Sequence, residues 1–150
     1  MRSLRTSTAC ALPDFDAAAV AIVTLFDAGM AAAHPTVARV YDNAPRVTPP
    51  APTASWVRLS ILGGGARLPE VGSRIADNLG RAVVQIFTPL GSGDALARQI
   101  ASSVRNILQS VRVSDVQLYE TEIIPVAQEA GAPWRQVNAS TRFRFESMPV

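Results

Sequence analysis

The hydrophobic period changes once, sharply, within residues 81–110, and that change limits the folds open to the chain. Val83, Val84, Ile86 and Phe87 form a dense β-branched and aromatic run, the composition of a buried strand. Thr88-Pro89-Leu90-Gly91-Ser92-Gly93 ends it, because proline has no N–H for a ladder and glycine reaches positive φ at low cost. Beyond the turn the period is that of a helix. Leu96, Ile100, Val104, Ile107, Leu108 and Val111 share one face, with Arg98, Ser102, Arg105 and Gln109 opposite. Ser92 or Asp94 is placed to cap the first turn. A buried strand followed at once by an amphipathic helix calls for a layered domain in which helix covers sheet.

A strand, a glycine loop and a helix are also the outline of a phosphate-binding site, but the residues do not fit one. A P-loop needs a lysine after its last glycine, and this chain contains no lysine. Leu96 stands where a dinucleotide fingerprint would have its third glycine. Asp94 sets a carboxylate where a phosphate would dock at the helix start. The segment reads as a structural turn.

Chemistry is equally hard to place elsewhere. The single cysteine, Cys10, excludes an internal disulfide and a cysteine metal cluster. The one histidine, His34, precedes Pro35 and reads as a helix-end residue. Glu120 and Glu122 share a strand face but have no base beside them. No catalytic, metal or cofactor residue is assigned, and the chain is not expected to be an enzyme. All 14 basic side chains are arginine, set against 12 acids for a net charge of +2, and no basic block occurs. Dedicated nucleic-acid binding is therefore not expected. The charged fraction is 17%, below the roughly 25% usual for soluble domains, which suggests that part of the surface is hidden in an assembly.

The 150 residues suffice for one domain with a real core. Residues 1–12 show no period and read as an irregular arm. A helix follows from Asp14 to Ala33, with Phe15, Ala18, Ala19, Ile22, Phe26, Met30 and Ala33 on one face. Its other face carries Asp16, Val20, Val23 and Asp27, too apolar for a solvated face, and so is expected to meet a second layer or another subunit. The run Ala17–Phe26, bracketed by Asp14, Asp16 and Asp27, reads as a folded cytoplasmic helix and is too short for a membrane span. Thr36–Tyr41 suits a short strand, and Pro45, Pro49, Pro50 and Pro52 mark an extended crossing. Trp56–Leu62 alternates, with Val57, Leu59 and Ile61 on the core side. Gly63–Gly80 reads as a long loop carrying Arg67, Glu70, Arg74 and Asp77. Val113–Val126 follows as a strand, with Val116, Leu118 and Glu120 alternating against Gln117, Tyr119 and Thr121. In Trp134–Ser147 the core side holds Val137, Ala139, Thr141, Phe143 and Phe145, and Asn138, Ser140, Arg142, Arg144 and Glu146 face away. The predicted class is α+β, a four- to five-stranded, mostly antiparallel sheet with two helices packed on one face.

Three segments carry a family resemblance: 56–61 (WVRLSI), 80–104 (GRAVVQIFTPLGSGDALARQIASSV) and 131–147 (GAPWRQVNASTRFRFES). The markers are Ile86-Phe87, Thr88, Pro89, Gly91 and Gly93 before a helix, then Gly131 and Trp134 before the closing strand. In this order the chain resembles the tail terminator, or tail completion, family of long-tailed phages and phage-derived gene transfer particles. The likeness spans most of the chain, with about fifty residues carrying it sharply and nothing to match residues 1–12 or Gly63–Gly65.

The resemblance implies a homohexameric ring in the virion, assembled in the host cytoplasm and seated on the head-proximal end of the tail tube. Such a ring stops tube polymerisation and presents a surface to the head connector. Its partners would be other copies, the tail tube protein and the neck proteins, with DNA only in passage through the lumen, and no membrane or cofactor. Ring and tube contacts are expected at Arg67, Arg74, Asp77, Arg81, Val20, Val23 and Asp27, and a lumen or inter-subunit face at Arg142 and Arg144. Alternative readings are another neck component such as a head–tail adaptor, or a small α+β ligand-binding domain.

Overall fold

The computed structural model of the protein describes residues 14–42, 53–72 and 74–148. The expected arm at 1–12 and the proline-rich crossing lie outside these residues. The elements in order are α1 (Phe15–Ala33), β1 (Ala38–Tyr41), β2 (Trp56–Arg67), β3 (Ala76–Pro89), α2 (Ala95–Leu108), β4 (Arg112–Val113), β5 (Val116–Pro125) and β6 (Trp134–Ser147).

One six-stranded sheet runs β1-β2-β3-β6-β5-β4. The α+β class agrees with the sequence, but the strand count and the strand directions need correction. β4 has only two residues, too few to show a period. β1 pairs with β2 in parallel, Ala38 against Trp56 through Tyr41 against Leu59. A parallel neighbour needs a crossover of about a dozen residues or more, and residues 42–55 supply it. The other pairs are antiparallel.

The predicted loop at 63–80 is mostly strand. β2 continues to Arg67 and β3 begins at Ala76, so the two form a long hairpin. Three glycines hide the strand from a propensity reading, and the register shifts between Gly63 and Ala66. A Cβ on Gly64 would lie 2.3 Å from the Leu79 carbonyl oxygen, so only glycine lets the two backbones come this close. A second correction falls in β5. An irregularity between Leu118 and Thr121 breaks the strict alternation and turns Thr121 inward, where its hydroxyl meets that of Thr141 at 2.6 Å.

Both helices lie over one face of the sheet. α1 contributes Ala18, Ile22, Phe26 and Met30 to the core, and α2 contributes Ala97, Ile100, Ala101, Val104 and Leu108. They meet Val57 and Leu59 of β2, Ala82, Val84 and Ile86 of β3, Val116 and Leu118 of β5, and Val137, Ala139, Phe143 and Phe145 of β6. Asp14 caps α1 by accepting the Ala17 N–H at 2.7 Å. The start of α2 is different. Asp94 occupies the cap position but makes no capping bond, since its backbone is already helical and a capping side chain works from an extended residue. Its carboxylate instead holds Arg135 at 2.8 Å. Ser92 does not cap either; its hydroxyl donates back to the Pro89 carbonyl at 2.7 Å. Gly91 and Gly93 between them have φ of 85° and 80°, which explains why the turn is written with glycine.

At 19 residues and a mean hydropathy of 1.6, α1 is long and apolar enough to cross a membrane, so the sequence argument from a ten-residue run does not hold. Its inner face is nevertheless committed to the core, from Ala18 to Met30.

Candidate functional site

The second face of the sheet is not covered by any described element. The pairing register arranges it in rows. Trp56, Phe87 and Gln136 form one, Arg58, Gln85, Asn138 and Ile124 the next, Ser60, Val83, Ser140 and Glu122 a third, and Leu62, Arg81 and Arg142 a fourth. Aromatic packing closes one end: Trp56 stacks on Phe87 with centroids 4.0 Å apart, and Trp134 stands edge-on to Trp56 at 5.8 Å. At the other end, toward the β2–β3 turn, Leu62, Leu68, Val71 and Leu79 are exposed. Exposed apolar side chains beside polar rows are the kind of surface that partners cover.

The nine residues expected at contacts fall into different settings. Arg67 and Arg74 lie exposed at the hairpin. Arg81 and Arg142 stand directly opposite each other on the open face. Like charges so placed repel; Arg81 also donates to the Ser140 hydroxyl at 3.2 Å. Asp77 and Arg144, assigned to separate surfaces by sequence, form an ion pair with each other, and Glu146 lies 3.5 Å from the same guanidinium. The Asp77 hydrogen bond and charge hold Arg144 more firmly protonated. On α1, Val20 is 56% exposed and remains available for a contact, while Val23 packs against the core.

Asp27 is bound within the chain. It accepts from Arg39 at 2.8 Å and from the Tyr41 hydroxyl, fastening α1 to β1. The Tyr41 hydrogen bond, with help from Arg39 and against a smaller effect of burial, keeps the Asp27 carboxyl below its usual range. Burial, with Asp27 next, pushes the Tyr41 phenol up. A carboxylate with a lowered folded pKa stabilises the fold above its unfolded pKa near 4 and loses that stabilisation as pH falls through the folded value. Asp27 is half exposed, so the pair contributes only about 0.5 kcal/mol. Urea titrations should show the wild type losing this margin over Asp27→Asn between about pH 5 and pH 3; parallel pH profiles for the two chains would rule the latch out.

His34 ends α1, as its position in sequence implies, and its Nε2 lies 2.9 Å from the Ser103 hydroxyl. A shallow surface pocket beside it is lined by Ala33, Arg98, Gln99 and Ser102. The contacts that the sequence reading missed are Arg39 and Tyr41 in the latch and the apolar residues of the hairpin. The alternation of Trp56–Leu62 already puts Leu62 on the open face, but the glycine run after it hid the strand pairing that places Leu79 there.

With this geometry in place the architecture compares with known proteins. The α+β fold of the described residues resembles solved structures, among them the following two. One bears only a sequence identifier for a name; it is 18% identical, and the likeness covers 91% of this chain and 99% of that one at a TM-score of 0.65. The other belongs to the virion of a native gene transfer agent particle; it is 23% identical over 85% of this chain and 93% of that one, at a TM-score of 0.52. Likeness at this identity establishes the fold. No protein-family model and no curated protein matches the sequence.

Proposed function

We propose that the protein is a virion structural component of a phage-type particle, acting as a tail terminator. Copies form a ring, a hexamer by the family resemblance, on the head-proximal end of the tail tube. The ring stops tube growth and offers its other face to the head connector. The reading assigns it no chemistry of its own. The observation that carries it is the fold shared with a gene transfer agent virion component over most of both chains, together with the turn and strand markers from Ile86 to Gly93 and from Gly131 to Trp134. An uncovered sheet face, an exposed apolar hairpin and a half-exposed Val20 suit a chain that buries surface by assembly. Deleting the gene from a particle-producing genome should give tails of uncontrolled, excessive length, seen by negative-stain microscopy. Tails of normal length without the protein would refute the reading.

A further inference from the structure

The two borders of the sheet differ in charge but not in apolar character. On the β2 border the hairpin exposes Leu62 and Leu68, with Val71 at its turn and Leu79 on the open face of β3. Arg67 and Arg74 flank them, with Glu70 as the opposing acid at the tip and Asp77 already neutralised by Arg144. Neither Arg67 nor Arg74 has an ion-pair partner among the described residues. On the β5 border Tyr119, Ile124 and Val126 are exposed, beside Glu120 and Glu122, which likewise have no ion-pair partner among the described residues.

The two borders are level only where Ser60–Leu62 face residues 119–122; Arg67 stands further along, in the row of Asp77 and Glu146, so the contact proposed below is offset along the strands. Leu62 stands in the row of Arg81 and Arg142, and Arg142 faces the irregularity that holds Tyr119 and Glu120. Ser60 stands in the row that ends at Glu122. Two-fold pairing of either border with itself would oppose like charges, which weakens association. Setting the β2 border of one copy against the β5 border of the next brings opposite charges and apolar side chains together. We propose that copies associate head to tail in this way, the hairpin of one lying on residues 119–126 of its neighbour, with Arg67 and Arg74 toward Glu120 and Glu122. The contact is made by side chains. The Thr121 N–H already donates to Gln109 Oε1 and its carbonyl accepts from Arg105, so that part of the β5 edge is not open to strand addition.

This rests on the ring-forming reading, and its test separates the two. In a head-to-tail assembly every copy uses both borders. The full chain is examined by native mass spectrometry as wild type, as Arg67→Glu with Arg74→Glu, and as Glu120→Arg with Glu122→Arg. The wild type should assemble, each double variant alone should stay monomeric with an unchanged circular dichroism spectrum, and an equimolar mixture of the two should assemble again. A wild type that stays monomeric, a double variant that still assembles, or a mixture that does not recover would each overturn the proposal. A tail-length defect on gene deletion with no effect of the charge reversals would leave the terminator reading standing and this interface rejected.

Discussion

Phe143→Ala should lower the free energy of unfolding by about 3–5 kcal/mol, the range for a fully buried phenylalanine that leaves a cavity. That is a large part of the stability of a domain this size. The Phe143 ring is completely buried at the middle of the sheet, 6.3 Å from Phe145. It lies over the backbone of Gly80, where a Cβ would fall 2.4 Å from Cζ of the ring and 2.7 Å from the Leu62 carbonyl oxygen. Gly80→Ala is therefore expected to cost about 3 kcal/mol, as a methyl forced into a filled core does. The two sites share one volume, so their effects should not add. In the Phe143→Ala background the ring is gone and Gly80→Ala meets only the Leu62 oxygen, so the pair should cost less than the sum by about 1 kcal/mol or more. Denaturant unfolding of the four chains measures this, and strict additivity would mean that the ring and the glycine are not in contact.

The second large effect concerns a hydrogen bond. Thr121 and Thr141 face each other across β5 and β6 with hydroxyls 2.6 Å apart, both buried. Thr141→Val keeps the shape and leaves the Thr121 hydroxyl buried without this partner, at a cost of about 1–3 kcal/mol. Replacing both threonines by valine removes donor and acceptor together and should be nearly neutral. The expected order of stability, with the single variant well below the double, is opposite to what simple loss of contacts would give.

Thr121 also shows where the sequence stops being legible. Strict alternation from Val116 puts it on the outer face, and the irregularity after Leu118 puts it in the core. A one-residue slip reverses every later side chain, and nothing in the composition of residues 118–121 announces it. Long, clean periods were readable. β6 occupies Trp134–Ser147 as its alternation predicts, and α1 begins one residue after the capping Asp14. Short or glycine-rich strands were not: β4 is too brief to show a period, and the Gly63–Gly65 run concealed the outer half of β2. The contact residues were legible only in kind. The family resemblance placed contacts at charged side chains, and their neighbours in the fold decide which of these are already paired within the chain. Asp77 and Arg144 satisfy each other, and Asp27 is taken by Arg39 and Tyr41, while Arg67 and Arg74 point to no acid among the described residues. Pairings between strands about sixty residues apart cannot be inferred from local pattern.

The longest of those pairings, β3 with β6 from Ala76–Ser147 to Pro89–Trp134, also sets the order in which the protein can be made. During synthesis the β2–β3 hairpin leaves the ribosome well before residues 134–147. Until they arrive, the inner edge of β3 is a naked template for any passing strand, and the core under α2 is unfinished. The sheet closes only when residues 134–147 insert between β3 and β5, a non-local step of the kind that slows folding. A chain cut short before Trp134 would lack its central strand and leave the paired edges of β3 and β5 without a partner.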